Sequence, residues 1–467
     1  MSVTTRDLMT DPELFGGQFG GESWAAWRAL LAGFYGLELS EGELAHWQEL
    51  TGRESPAETP HSELWLAIGR RGGKSQAAAL LAVFESAFSD YTEQLSPGEV
   101  ATAMVLAADR KQARTVMRYV SGLLHANPML ERMILREDRE SIELTNRTVI
   151  EVHTASFRAV RGYTVAACIA DEIAFWRSDE SANPDREIIA ALRPAMATLE
   201  GKLIALSSPY SKRGALWDTY RRHFGKPGTI LVAQAASRTM NPKLPERVVS
   251  EALERDPQAA AAEYLGQFRN DLEQFISREL IESATRDEAL IIPRRAGVRY
   301  VAFVDVAGGG ADEYTLAIAH RAGEAVVVDA VHAERGDPAA ITARYAEILK
   351  GYGINRITGD RYAADWPVQE YRKHGITLAP SPLNRSELFL EFLPALQTGR
   401  VDLPPDDRMV IQFASLERRT GRTGRDSVNH PPGGHDDRAN AVAGACYLSK
   451  AKGYSLEAWD SAPAFPT

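Results

Sequence analysis

The chain has 467 residues, with 53 Lys and Arg against 63 Asp and Glu, a formal net charge of −10, and is 44% hydrophobic and 25% charged. Such a length and balance fit about two to four domains with buried cores and exclude a disordered or fibrous protein. The acidic charge argues weakly against a dedicated DNA-coating protein and is compatible with an enzyme that grips DNA through local basic patches. Cys168 and Cys446 form neither a disulfide framework nor a zinc site, the start of the chain shows no secretory pattern, and no apolar run reaches the ~20 residues of a membrane span. A reducing, cytoplasmic setting is expected.

Residues 1–60 hold a Trp- and Leu-rich helical stretch at 22–34 and a polar, Pro-containing passage at 51–60, and lead into a domain over 61–270. There, strand-like 64–68 precedes a helix from Lys74, and strand-like 103–107 precedes a helix from Arg110. A hairpin at 142–153 and strands at 165–170 and 202–206 follow. Strands alternating with helices predict a parallel sheet covered by helices. A charged passage at 271–298, ending Ile-Ile-Pro-Arg-Arg-Ala-Gly, reads as a linker. A second domain over 299–452 then opens with strands at 300–306, 314–320 and 325–331. Helix 338–350, strand 356–359, a helix near 368–374 and a last helix at 436–450 complete it. This order resembles the ribonuclease-H-like layout, and 453–467 reads as a loose tail.

Gly69, Arg70, Arg71, Gly72, Gly73, Lys74 and Ser75 stand between an apolar strand and an Ala-rich helix. In a P-loop, glycines let backbone N–H groups cradle phosphate at a helix start, the lysine reaches the outer phosphates, and the hydroxyl holds Mg²⁺. Ile68 stands where the full consensus has glycine, so the loop is one residue short. Asp171 and Glu172 end the strand at 165–170, where the first can hold Mg²⁺ and the second polarise a water. Ser207 and Ser208 end another buried strand and fit a sensor of the outermost phosphate. Arg110, Lys111, Arg114 and Arg118 read equally as a DNA-phosphate surface and as a solvated helix face. Arg158 and Arg161 stand just before the Asp-Glu strand and can serve nucleotide or DNA.

In the second half, Asp305 lies in the apolar run Val-Ala-Phe-Val-Asp-Val, and a buried carboxylate is costly unless paired or bound to metal. Asp360 ends a later strand, and Asp436 and Asp437 begin the last helix. Acids converging from a central strand, a neighbouring strand end and a helix start can hold two Mg²⁺ or Mn²⁺ ions about 4 Å apart for phosphodiester cleavage. His435 has no Cys or His partner at zinc-ligand spacing.

Together these motifs resemble the large terminase subunit of tailed bacteriophages, over roughly residues 63–450. Family P-loops are often shortened and carry Arg four residues before the Lys, matched here by Arg70. The resemblance implies an α/β chain: an N-terminal P-loop (RecA/ASCE-like) ATPase domain with a parallel-rich sheet, then a ribonuclease-H-like α/β nuclease domain. It implies Asp171 and Glu172 as the magnesium and water acids and Ser207-Ser208 as the coupling segment. The nuclease acids map onto Asp305, Asp360 and Asp437, with Asp436 kept as the alternative and Asp312 as an accessory ligand. The implied activity is ATP-driven translocation of double-stranded viral DNA into a procapsid, with metal-dependent cutting of concatemers. Arg70 would act on the γ-phosphate within the subunit. Implied partners are the portal, a small terminase subunit and further copies in a ring, commonly of five, in the host cytoplasm. The N-terminal segment would contact adenine or the small subunit, with Trp24 and Trp27 serving as core. The competing readings are a P-loop helicase or nuclease of DNA repair or recombination, and a nuclease or transposase-like protein whose first half is a nucleotide-dependent scaffold.

Overall fold

The computed structural model describes residues 3–156, 160, 162–176, 184–306, 312–360, 365–420 and 426–450. Arg158, Arg161 and the tail at 453–467 lie outside them. The described residues divide into two compact units, one running to Asn270 and one starting at Asp271. Among them, no helix is long and apolar enough to cross a membrane.

The first unit is built on eight strands: β1 (Glu63–Ile68), β2 (Ala101–Ala107), β3 (Ile134–Glu137), β4 (Ser141–Leu144), β5 (Thr148–Thr154), β6 (Thr164–Asp171), β7 (Lys202–Ser207) and β8 (Ile230–Ala235). Their order is β3-β4-β5-β2-β6-β7-β1-β8. The strands from β5 to β8 in that order run parallel, and β3 and β4 add an antiparallel edge. β1, β2, β6 and β7 are buried almost from end to end, as continuous apolar strands covered on both faces must be. Alternate residues of β1 feed different cores. Leu64, Leu66 and Ile68 pack with the helices Lys74–Ala87 and Arg110–Ala126, while Trp65 and Ala67 pack with the helix Pro184–Met196. The expected N-terminal helix resolves into a 3₁₀ turn, Glu22–Trp24, and a helix, Ala25–Phe34.

One strand, β7, separates the strand leading into the P-loop from the strand ending in Asp171. That separation is the RecA/ASCE arrangement, and it sets the C-terminal ends of three adjacent parallel strands side by side. Ligands bind at this end of such sheets.

The second unit holds β9 (Leu272–Gln274), β10 (Tyr300–Asp305), β11 (Tyr314–Ala322), β12 (Ala325–Glu334), β13 (Arg356–Gly359), β14 (Thr377–Pro380), β15 (Val401–Asp402), β16 (Glu417–Thr420) and β17 (Asp426–Asn429). Its main sheet is ordered β14-β13-β10-β11-β12-β15. β10, β11 and β12 pair antiparallel, whereas β13 lies parallel to β10 and β14 parallel to β13. This is the ribonuclease-H-like strand order. The helix Asp437–Lys450 lies against the sheet, and its Ala and Gly residues permit close approach. A Cβ on Gly444 would stand 2.3 Å from the Phe303 ring. On the opposite face, Ile341, Tyr345 and Leu349 of the helix Pro338–Tyr352 fill a second core layer.

The passage at 271–298 is not simply a linker. Its first residues form β9, which pairs with β16, and Ser277 caps the helix Arg278–Ser283. Phe275, Ile276 and Ile281 are buried in the core of the second unit. The dense charges of the passage conceal these three apolar anchors. β10 also ends at Asp305 rather than at 306, and the last helix begins at Asp437, leaving Asp436 just outside it.

Candidate functional site

The first polar constellation forms where β1, β7 and β6 end. After Ile68 the chain turns through Gly69–Gly73 and enters the 14-residue helix at Lys74. Arg71 and Gly73 adopt left-handed φ of 65° and 89°; at Gly73 a side chain would be strained, so glycine is required at the turn into the helix. The turn aims the free N–H groups of a helix start at the space above the sheet, a ready anion site. Ser75 follows Lys74 in the first helical turn.

Lys74 is only 6% exposed. Its Nζ donates to the carbonyls of Ile68 at 2.9 Å and Gly69 at 3.3 Å and to Ser208 Oγ at 2.9 Å, and lies 3.6 Å from Glu172 Oε1. Burial lowers the lysine's pKa, and the charges of Glu172 and Asp171 oppose that shift. Glu172 sits at a left-handed φ of 50°, and its Oε2 accepts from Ser207 Oγ at 3.0 Å and the Ser208 N–H at 3.1 Å. Asp171 is buried, and desolvation, followed by the Glu172 charge, pushes its carboxyl up to about 7. Lys74, Asp171, Glu172, Ser207 and Ser208 thus stand together, drawn from three neighbouring strand ends. A helix start for phosphate, a buried ammonium and an acid pair suit a nucleotide triphosphate with Mg²⁺.

Three contacts invisible in the sequence hold the loop. The Trp27 indole donates to the Gly72 carbonyl at 2.9 Å, Ser237 Oγ to the Arg70 carbonyl at 2.6 Å, and Asn241 Nδ2 to the Arg71 carbonyl at 2.9 Å. Trp27 is buried as expected, and its N–H shows that it also braces the loop. The signal was general: a buried tryptophan N–H usually finds a hydrogen-bond acceptor. The Arg70 guanidinium is half-exposed and 3.4 Å from Glu263. Arg110, Lys111, Arg114 and Arg118 line an exposed helix face, with Arg114 3.2 Å from Glu140.

The second constellation lies in the second unit. Asp305 ends β10, Asp360 follows β13, and Asp436 and Asp437 stand at the start of the last helix. Asp305, Asp360 and Asp436 converge on Arg385, a residue the sequence did not single out. Arg385 Nη1 lies 2.7 Å from Asp436 Oδ1, and Nη2 lies 3.4 Å from Asp360 Oδ2 and 3.9 Å from Asp305 Oδ2. Asn440, one turn into the last helix, donates to Asp305 Oδ2 at 2.8 Å. Burial raises the Asp305 carboxyl to about 7 despite the opposing Arg385 charge.

Asp437 faces a different group. Its Oδ2 accepts from the Glu313 N–H at 3.0 Å, and it offers an oxygen within 4.8 Å of ligand atoms from Asp312 and His435. His435 therefore has carboxylate neighbours that its sequence spacing did not reveal; its Nδ1 is 3.1 Å from Asp312 Oδ1. Behind this group, Arg438 binds Glu313 at 2.8 Å and Asp406 at 2.7 Å, and Arg408 binds Glu313 at 2.6 Å. Asp436 is 1% exposed, and its Oδ2 has no hydrogen-bond donor among the described residues. An orphaned carboxylate oxygen in a nest of acids is the chemistry that a hard divalent cation satisfies.

No protein-family model matches the chain. Its sequence is similar to a probable terminase large subunit of Enterobacteria phage P7, 23% identical over 293 residues, an alignment covering 59% of this chain and 56% of that protein. The chain thus spans about half the length of the curated relative it matches. Among solved structures, the large terminase of bacteriophage HK97 overlays at a TM-score of 0.38 with 16% identity, covering 83% of this chain and 91% of that one. The large terminase of a thermophilic bacteriophage in complex with ADP gives 0.38 with 11% identity over 82% and 92% of the two chains. The large terminase nuclease of thermophilic phage G20c with bound magnesium gives 0.32 with 17% identity over 37% and 96%. The fold assignment rests on the strand orders described above rather than on these overlays.

Proposed function

We propose that the chain is the large subunit of a phage-type terminase: an ATP-driven motor for double-stranded DNA joined to a metal-dependent DNA endonuclease. One observation carries this reading. A single chain, similar in sequence to a terminase large subunit, combines a P-loop site at adjacent parallel strand ends with a carboxylate cluster on a ribonuclease-H-like sheet. A helicase built from two RecA-like units is disfavoured, because the described second sheet has a different strand order and carries acids.

In the motor site, Gly69, Arg70, Arg71, Gly72 and Gly73 wrap the phosphates and Lys74 binds the β and γ oxygens. Ser75 and Asp171 would hold Mg²⁺, and Glu172 would orient the attacking water. Ser207 and Ser208, which already hold both Glu172 and Lys74, report the loss of phosphate to β7. Arg70 stabilises charge on the transferred phosphoryl, a role worth about 10³–10⁵ in rate where an arginine performs it. In the nuclease site, Asp305, Asp360, Asp436 and Asp437 would hold divalent cations, Mg²⁺ or Mn²⁺, with Asp312 and His435 beside Asp437. Such cations supply Lewis-acid stabilisation of the attacking and leaving oxygens. Asn440 fixes the Asp305 carboxylate, and Glu313 fixes Asp437.

On this reading the chain works in the bacterial cytoplasm, assembled as a ring of about five copies on a procapsid portal and handed DNA by a small terminase subunit. The test is to incubate purified chain with supercoiled plasmid and Mg²⁺ or Mn²⁺ while following ATP turnover with and without DNA. Metal-dependent cutting that Asp305→Ala abolishes, together with DNA-stimulated ATPase activity that Lys74→Ala abolishes, is the expected result. Cutting that survives Asp305→Ala would overturn the nuclease assignment.

A further inference from the structure

The acid cluster contains a positive charge for which the proposed cleavage chemistry has no role. Arg385 is the first residue of the helix Arg385–Gln397, whose start is fixed by a capping box between Asn384 and Glu387. Its guanidinium reaches acids from three separate elements: Asp305 at the end of β10, Asp360 after β13, and Asp436 before the last helix. Asp436 and Asp305 are 1% and 7% exposed at the side chain, whereas Arg385 is 34% exposed. The arginine therefore approaches the nest from its solvent side.

A guanidinium built only to stabilise the fold would saturate its partners. This one does not. Its approach to Asp305 is 3.9 Å, beyond hydrogen-bond length, and Asp436 Oδ2 has no donor among the described residues. Arg385 thus neutralises part of the cluster's charge while leaving Asp436 Oδ2 unsatisfied. A divalent cation entering the nest would compete with the arginine for Asp436 and Asp360 and be repelled by its charge. A planar guanidinium binds phosphate bidentately as it does carboxylate, so a DNA phosphate offers Arg385 an alternative partner to the nest.

We propose that Arg385 is a built-in competitor of the catalytic cations: it occupies the nuclease carboxylates until a DNA phosphate draws its guanidinium away, so that metal and DNA load together. The proposal rests on the nuclease reading above. It makes Arg385 a positioning residue that suppresses metal loading away from DNA.

The test follows Mn²⁺ binding to the full chain by electron paramagnetic resonance, with and without a short duplex, after subtraction of a duplex-only control. Wild type binds Mn²⁺ weakly alone and more tightly with duplex. Arg385→Gln binds about tenfold or more tightly without DNA, since a unit positive charge a few ångströms from the ligands is gone, and duplex then adds little. Asp305→Asn, measured in parallel, weakens Mn²⁺ binding. If Asp305→Asn has no effect, the carboxylates are not the metal site and the nuclease reading itself fails. If Asp305→Asn weakens binding but Arg385→Gln binds no more tightly than wild type, the competitor role is overturned. Wild-type affinity that duplex does not change overturns it equally, and that measurement needs no variant to fold.

Discussion

The two polar constellations handle charge in opposite ways. Around the P-loop, a buried lysine faces two acids, and two of these groups are well partnered: Lys74 has two carbonyls and a hydroxyl, and Glu172 has a hydroxyl and an amide. Around Arg385, three acids share one guanidinium, a fourth stands nearby, and a buried oxygen has no donor. The first site is close to satisfied by its own residues and needs a ligand chiefly for chemistry. The second carries surplus negative charge that a divalent cation would offset, so its structure and its chemistry should both respond to metal.

The two activities should be separable by single substitutions. Lys74→Ala should lower ATP turnover by about 10²–10³ or more, the cost of removing one donor from a charge-stabilising site, while metal-dependent plasmid cutting persists. Asp305→Ala should do the reverse. Steady-state ATPase and gel-based nicking assays on the same preparations read both. Loss of both activities in either folded variant would mean that the sites are not independent.

Metal removal comes next. Chelation should lower the midpoint of thermal unfolding of the second unit more than that of the first, because among the described residues the acid nest around Arg385 keeps a buried carboxylate oxygen without a donor. Differential scanning calorimetry with and without Mn²⁺ resolves the two. A metal-dependent shift confined to the first unit would reverse the comparison.

A third effect concerns the support behind the acids. Arg438 is 15% exposed and joins Glu313, which holds Asp437, to Asp406. Arg438→Met keeps most of the volume but leaves Asp406 without this cation and Glu313 with Arg408 alone. Breaking such a pair costs about 3–5 kcal/mol when fully buried, and the residual exposure here puts the expected loss nearer 2 kcal/mol. Urea unfolding followed by a signal from the second unit measures it.

The contrast also explains what was legible in sequence. The glycine-rich turn at 69–73 and the Asp171-Glu172 strand end are contiguous segments whose geometry is local, so residue order alone placed them at strand ends. Asp305 was legible because an acid in an apolar strand has few bland explanations. Arg385, Asn440, Glu313 and Arg438 were not, because their importance arises from long-range pairing. Arg385 opens an ordinary capping-box helix and stands 80 residues from Asp305 by the numbering. Asp436 and Asp437 could not be divided by sequence, since adjacent residues at a helix start point in different directions; the fold sends one toward Arg385 and the other toward Asp312 and His435. The passage at 271–298 misled for the converse reason. Its charges dominate the composition, while three buried side chains decide its place in the fold.

The smallest expected effect sharpens the description of the first site. Trp27→Phe retains an aromatic ring in the core but removes the indole N–H that holds the Gly72 carbonyl. A single neutral hydrogen bond is worth about 0.5–1.5 kcal/mol net, so nucleotide affinity should fall by roughly two- to tenfold, with maximal turnover little changed. The direction follows from geometry: releasing Gly72 loosens the loop's backbone before phosphate binds, and ordering it must then draw on binding energy. Fluorescent-nucleotide titration against steady-state ATPase separates the two quantities. A fall in turnover at unchanged affinity would mean that Trp27 positions Lys74 in the reacting complex rather than the loop beforehand. The motor site would then depend on its N-terminal helix for chemistry as well as for shape.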